Sequence, residues 1–183
     1  DETPVDNASK VEQGQIIIGF DLNAEGIDDE IREIFLEEFA EESENLNVFF
    51  NEWKSDFENI ELLRPIRRVF HTFKGSGKLV GAKDLSEYSW KIESLLNRVL
   101  EGSRPPSEEV VSIIAKTIEI LPNFNEALLG GTVILDIAGL SNVVDRLAAG
   151  EELTYQAPKS VSSTPITEAK VLREPIIDPV LFE

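Results

Sequence analysis

One histidine lies in a basic stretch of the sequence that could handle a phosphoryl group. His71 is the sole histidine among the 183 residues. A neutral imidazole is a competent nucleophile near pH 7, and its N-phosphoryl product is labile enough to pass the group on. Lys74 and Gly75 follow one helical turn later, on the same side of a helix. Lys74 could therefore contact a phosphorylated imidazole, and Gly75 would leave room for an approaching partner.

The residues around His71 are locally positive although the whole chain is strongly negative. The formal net charge is −18, whereas residues 64–83 contain six Lys or Arg side chains and no acid. A positive island of this kind stabilises an added dianion at its centre. Arg67, Arg68 and Lys78 belong to the island and are predicted to form a basic rim that a partner meets.

Helical periodicity predicts that the ring of His71 faces solvent. At roughly 100° per residue, the apolar residues of this helix fall on one side and His71 falls on the opposite side. The apolar side consists of Leu62, Ile66, Val69, Phe73, Gly77 and Val80. An exposed histidine with a nearby cation and open access has what a phosphocarrier needs.

Composition and spacing exclude several other kinds of site. One histidine and no cysteine rule out sites with two or three His ligands, thiolate metal sites and disulfides. The run 75–78 hints at a phosphate-binding loop, but Thr72 and Leu79 stand where that loop needs Gly and Ser or Thr. Residues 136–140 do not match the nucleotide box of histidine kinases, so no kinase activity of its own is expected.

Charge and hydropathy also limit the expected partners and location. The net charge of −18 disfavours nucleic acid and anionic membrane surfaces as partners. No apolar run is long enough to span a bilayer, and no signal peptide is present at residue 1. We therefore expect a cytoplasmic protein.

The apolar periodicity predicts an all-α protein, an up-and-down antiparallel four-helix bundle with an additional N-terminal helix and flanking linkers. The additional helix would place Ile31, Ile34, Phe35 and Phe39 on one face, and the next helix would begin at about Ser43.

Capping signals delimit the remaining helices. The helix that carries His71 is expected to end at Gly81, and the next to begin with a capping box at Asp84 and stop at Gly102. Ser107 is expected to cap a further helix, which Pro122 should kink or end.

The same signals divide the chain into five parts. We predict an N-terminal linker at 1–26, the helical bundle at 27–130 and one more amphipathic helix at 131–150. A flexible linker at 151–176 follows, rich in Ser, Thr and Pro. Residues 177–183 echo the approach to the first helix and could begin a further, truncated repeat of a longer array.

One run closely resembles the H-x-x-K-G-x-x-x-x-x-G signature of histidine phosphotransfer (HPt) domains: His71-Thr72-Phe73-Lys74-Gly75-Ser76-Gly77-Lys78-Leu79-Val80-Gly81. The residues that follow resemble those of CheA-type chemosensory hybrid histidine kinases. The resemblance is greatest to the Chp/Pil systems, which control type IV pili and twitching motility.

The resemblance implies a function and a set of partners. His71 would be the phosphoacceptor, Lys74 would stabilise the phosphoryl group and Gly75 would admit the partner. Partners would be a CheA-type kinase ATP-binding domain and response-regulator receiver domains. ATP and Mg²⁺ are expected on those partners, and no cofactor or metal on this domain. The alternative is a docking or scaffold domain that is not phosphorylated and in which His71 is incidental.

Overall fold

The computed structural model describes residues 14–23 and 25–158, and nearly all of its regular structure is helical. The elements are α1 (Asp29–Lys54), a 3₁₀ turn (Ile60–Leu62), α2 (Leu63–Leu79), α3 (Lys83–Glu101), α4 (Glu108–Leu128) and α5 (Ile137–Ala148), with strands β1 (Gln15–Ile16) and β2 (Ile134–Leu135). The strands pair antiparallel. Most of the predicted N-terminal linker and C-terminal linker, and all of the predicted repeat, lie outside the described residues.

Helices α1 to α4 pack around one apolar core, which fixes the orientation of α2. The rings of Phe39 on α1 and Phe73 on α2 lie 4.8 Å apart between centroids. Tyr88 on α3 and Phe124 on α4 lie 6.1 Å apart. The inner face of α2 is buried along its length, from Leu63 through Ile66, Val69, Phe70 and Phe73 to Gly77. Short connections between these helices favour the predicted up-and-down order.

The prediction of an additional N-terminal helix is wrong. One continuous helix, α1, replaces the two predicted helices and passes through Ser43 without interruption. The stretch between the two predicted helices contains Ala and Glu and no Gly or Pro, so nothing in it breaks a helix. Ile31 and Ile34, expected on an inner face, are exposed at 41% and 58%.

Two of the predicted helix ends also differ from the structure. Asp84 does not cap α3: its Oδ2 instead accepts a hydrogen bond of 2.7 Å from the backbone amide of Ile18. Pro122 was predicted to kink or end α4, and the second alternative is wrong because α4 continues to Leu128. Phe124 and Leu128, which follow Pro122, are buried, and the burial of their apolar side chains stabilises the part of α4 beyond the proline. The predicted end of α3 at Gly102 and the cap at Ser107 are confirmed.

The C-terminal part of the described chain packs on the bundle. Leu140, Val144 and Leu147 of α5 are fully buried. The buried guanidinium of Arg104 donates hydrogen bonds to the carbonyls of Leu147 and Glu151, at 2.8 and 2.9 Å. The start of the predicted flexible linker is therefore held against the bundle.

No helix within residues 14–23 and 25–158 is long and apolar enough to cross a membrane.

The N-terminal segment is anchored at the end of the bundle near the start of α3. Ile17 is buried, and its amide donates to the carbonyl of Val133 at 3.0 Å. Gly19 lies directly on the backbone of α4, because a Cβ built there would stand 2.1 Å from the carbonyl oxygen of Ala127. Only glycine permits this approach.

We expect Gly19→Ala to displace the N-terminal segment and to lower the free energy of unfolding by about 1–3 kcal/mol through overpacking. Amide hydrogen exchange at Ile17 and Ile18 would accelerate, since both amides lose their acceptors. Gly75→Ala is the control, because a Cβ at Gly75 meets no heavy atom within 4 Å. Unchanged exchange at both isoleucines in Gly19→Ala would contradict the prediction.

Candidate functional site

Helix α2 presents His71 on the face opposite the core. The side chain of His71 is 57% exposed, while its neighbour Phe70 is fully buried. The buried positions of α2 recur every three or four residues, and His71 lies out of that phase. The predicted orientation of His71 toward solvent is confirmed.

A buried carboxylate on the neighbouring helix holds the ring. Glu93 of α3 is only 5% exposed at its side chain, and its Oε2 lies 2.8 Å from Nδ1 of His71. The other oxygen, Oε1, lies 2.7 Å from Nζ of Lys74. Both oxygens of one carboxylate are therefore shared between the histidine and the lysine one turn after it.

Opposing influences act on the pKa of Glu93. Burial is the largest of them and by itself raises the pKa, but the contacts with Lys74 and His71 together lower it below the ordinary value of 4.5. Glu93 is therefore ionised near neutral pH. A buried carboxylate with two positively polarised partners is the stable arrangement for a charge in this position.

The ionised state of Glu93 selects the tautomer of His71. A carboxylate can only accept hydrogen bonds, so the proton of the neutral imidazole must reside on Nδ1, which faces Glu93. The lone pair then resides on Nε2. Within the described part of the chain Nε2 has no hydrogen-bond partner. In its neutral form, His71 therefore has Nε2 as the nitrogen that carries the lone pair, on a side chain that is exposed to solvent.

Arg67 also reaches this carboxylate, from the turn of α2 before His71. Its Nε donates to Oδ1 of Asn97 at 2.5 Å, and its terminal nitrogen lies 3.6 Å from Oε2 of Glu93. Arg68 and Lys78, the other members of the predicted rim, are exposed. Neither makes an ion pair within the described residues, so the structure does not bring them to Glu93.

Gly75 and Gly77 face different surroundings. A Cβ at Gly75 would meet nothing within 4 Å, so this position borders open space one turn beyond His71. A Cβ at Gly77 would contact Ser86 at 3.5 Å and the carbonyl oxygen of Ala82 at 3.6 Å. Gly77 therefore packs against the start of α3, whereas Gly75 borders open space.

Sequence reasoning missed Glu93 and Asn97. The basic island around His71 contains no acid in sequence, but in three dimensions Glu93 lies within it. One signal was available: Glu93 lies inside the apolar stripe of α3, four residues after Ser89 and three before Leu96, both of them buried. A charged residue in the buried phase of a helix needs a partner, but the sequence does not show which one.

The sequence of the chain matches a known family of protein domains. The sequence profile of the Hpt domain matches residues 30–149, well over half of the chain and all five helices. The chain belongs to the Hpt domain family. Hpt domains are phosphotransfer modules of histidine-kinase phosphorelays, and they are phosphocarriers without a kinase catalytic domain of their own.

Two curated relatives are a sensor histidine kinase and a chemotaxis protein. The chain is 30% identical over 92 residues, 50% of its length, to the sensor histidine kinase CheAY of Helicobacter pylori. It is 24% identical over 158 residues, 84% of its length, to the chemotaxis protein CheA of Rhizobium meliloti. These matches span only 12% and 21% of the two relatives. No solved structure matches the chain significantly.

Replacing Glu93 by Gln tests the shared carboxylate through its pH dependence. We expect Glu93→Gln to lower the free energy of unfolding by about 1–3 kcal/mol at pH 7. Because the folded pKa of Glu93 lies below its ordinary value of 4.5, the carboxylate stabilises the fold above that pH. This stabilisation is lost as the pH falls through the folded pKa, so the variant and the wild type should converge in acid.

Urea unfolding at pH 7 and at about pH 3 measures this difference. Glu87→Gln, an exposed substitution on the same helix, is the control and should change little at either pH. An equal loss of stability in Glu93→Gln at both pH values would show that the charge of Glu93 is not what stabilises the fold.

Proposed function

We propose that Nε2 of His71 is the phosphoacceptor of a chemosensory phosphorelay. His71 takes a phosphoryl group from a kinase ATP-binding domain or from a phospho-aspartyl receiver, and passes it to an aspartate of a response regulator. The observation that carries the proposal is the 2.8 Å contact between Nδ1 of an exposed His71 and the buried, ionised Glu93. That contact leaves the other ring nitrogen unprotonated and open to solvent.

The proposed transfer needs no proton shuttle. The lone pair of Nε2 forms the N–P bond while the bond from phosphorus to the donor oxygen breaks, and that oxygen leaves with the electron pair. The ring acquires positive charge and keeps its proton on Nδ1, where Glu93 compensates the charge. Onward transfer reverses these steps: the N–P bond breaks, an aspartate oxygen bonds to phosphorus and the neutral ring is restored.

Lys74 has the main supporting role in this proposal. Its ammonium lies 2.7 Å from Glu93 in the free protein and is about one-third exposed, so it can also contact a phosphoryl oxygen on His71. Arg67 adds positive charge on the other side of the ring, in an orientation set by Asn97. The two cations offset the negative charge that arrives with the phosphoryl group.

The relatives support a proposal for the wider setting. We infer a parent protein of the CheA type that works in the cytoplasm, with ATP and Mg²⁺ held by partner domains and no metal or nucleotide held here. Within the described residues no three His, Cys, Asp or Glu side chains gather as a metal site would require. The resemblance of residues 85–98 supports the Chp/Pil subtype of type IV pili and twitching motility, within a multi-HPt chain.

Phosphorylation of the full chain tests the assignment of His71. Incubation with candidate CheA-type kinase domains, ATP and Mg²⁺ should give a label that is acid-labile, as phosphohistidine is. We expect His71→Gln to abolish the label without loss of helical circular dichroism, because His71 is exposed. Label that survives the substitution, or no label with any kinase domain or small phosphodonor, would favour the phosphorylation-independent docking domain.

Gly75 tests access to the ring. We expect Gly75→Leu to slow transfer to receiver domains by about tenfold or more, because the leucine fills open space beside His71. Helix content should hold or rise, since glycine in a helix costs about 1 kcal/mol relative to alanine. Gly75→Ala, which adds a single methyl group, should transfer nearly normally. Equal transfer rates in the leucine variant and the wild type would remove the access argument.

A further inference from the structure

The two short strands present three isoleucines on one outer face. β1 and β2 pair antiparallel, with Ile16 opposite Ile134. Ile17, between Ile16 and Ile18, is buried, and so is Val133 next to Ile134. Because successive side chains of a strand point to opposite faces, Ile16, Ile18 and Ile134 share the face that is turned away from the core. These three residues are 65%, 56% and 61% exposed.

Packing within the chain does not explain this apolar face. A two-stranded antiparallel sheet with one buried face ordinarily carries polar residues on the other. Among residues 14–23 and 25–158, ten large apolar residues are exposed, and five of them belong to the strands or lie close to them in sequence: Ile16, Ile18, Leu22, Leu129 and Ile134. Exposed apolar area is therefore concentrated in these two segments, as it is in protein–protein contact sites.

The same two segments lack charge. Charged residues make up 28% of the chain, but residues 14–20 and 129–135 contain none. Asp84 and Asp136, which border the segments, accept hydrogen bonds from Ile18 and from Gly139 and Tyr155, so their charge is partly offset. Two copies of a chain with a net charge of −18 repel each other, and like charges placed face to face oppose association. An uncharged apolar face avoids that opposition.

We propose that the outer face of the β1–β2 sheet, which carries Ile16, Ile18 and Ile134, binds the same face of a second copy of this chain. Identical faces meet across a twofold axis, so each contact between isoleucines occurs twice. Sheets that pack face to face lie about 10 Å apart, a gap that apolar side chains from both sides fill. Three side chains from each copy are far fewer than the roughly 20–30 residues of a standard interface, so the dimer is weak, with a Kd of about 0.1 mM.

The proposed contact leaves the phosphoacceptor site free. The N-terminal segment is attached near the start of α3, where the amide of Ile18 donates to Asp84. His71 lies eight residues before Leu79, the last residue of α2, which corresponds to about 12 Å along the helix axis. The inference therefore does not rest on the proposed function, and His71→Gln should dimerise as the wild type does.

Sedimentation velocity of the full chain tests the contact between about 10 µM and about 1 mM, a range that brackets the expected Kd. The weight-average sedimentation coefficient of the wild type should rise with concentration. The double variant Ile16→Thr/Ile134→Thr should stay monomeric, and threonine suits a strand, so the sheet is retained. Ile34→Thr is the matched control: it makes the same exchange at an isoleucine that is 58% exposed on α1, outside the sheet, and should dimerise normally.

Salt and cross-linking give two further measurements. Dimerisation should strengthen between about 50 and 500 mM salt, because screening reduces the repulsion between two negative chains. Since the chain has no cysteine, Ile134→Cys supplies a single thiol. A short bismaleimide should then link two chains of this variant, whereas Ile34→Cys should give little cross-linked product.

Three outcomes would overturn the proposal. The first is a full chain that remains monomeric up to about 1 mM. The second is a dimer that the double threonine variant leaves unchanged, or that Ile34→Thr weakens as much. The third is dimerisation that weakens as salt increases, because opposite charges would then hold the two copies together in place of the uncharged face.

Discussion

The candidate site depends on one buried carboxylate. Glu93 divides its two oxygens between His71 and Lys74, at 2.8 and 2.7 Å. The side chain of Glu93 is only 5% exposed, and a buried charge of this kind needs partners such as these. Glu93 thereby holds two partly exposed side chains, those of His71 and Lys74, against the helix bundle. This contact orients the ring, assigns the proton of the neutral ring to Nδ1 and places negative charge beside the ring, where the proposed transfer would make the ring positive. A surface histidine without it would have neither a fixed tautomer nor a fixed orientation.

The surrounding fold keeps α2 and α3 in the register that this contact requires. The buried face of α2 packs on α1 through Phe73 and Phe39, and the hydroxyl of Ser86 on α3 donates to the carbonyl of Lys74 at 2.7 Å. Gly77 permits the two helices to approach at the turn between them. Rigid helices hold side chains more accurately than loops, which suits a site that supplies geometry and no catalytic machinery of its own.

The charge of the helix segment around His71 is opposite in sign to the charge of the whole chain. Most of the chain is acidic, which limits non-specific contact with other anions. Arg67, Arg68 and Lys74 lie within about one turn of His71 on α2, and in the proposed transfer they would offset the charge of the phosphoryl group.

Much of the site could be predicted from sequence because it lies on a single helix. The spacing of His71, Lys74 and Gly75 and the phase of the apolar residues of α2 are local quantities, and 3.6 residues per turn converts them directly into positions in space. The same local signals predicted the ends of α2 and α3. The helix start predicted at Ser43 was wrong, because no helix-breaking residue precedes it. The cap predicted at Asp84 was also wrong, because the carboxylate of Asp84 accepts a hydrogen bond from the amide of Ile18 instead.

Only the tertiary structure decided which residues from other helices complete the site. Glu93 is separated from His71 by 22 residues, and Asn97 from Arg67 by 30. Their pairing depends on the packing angle and register of α2 against α3, which hydrophobic periodicity does not encode. The sequence alone determined that His71 is exposed and accompanied by a cation. Packing between helices determined which of its nitrogens is free to react, because that depends on a carboxylate brought from elsewhere in the chain.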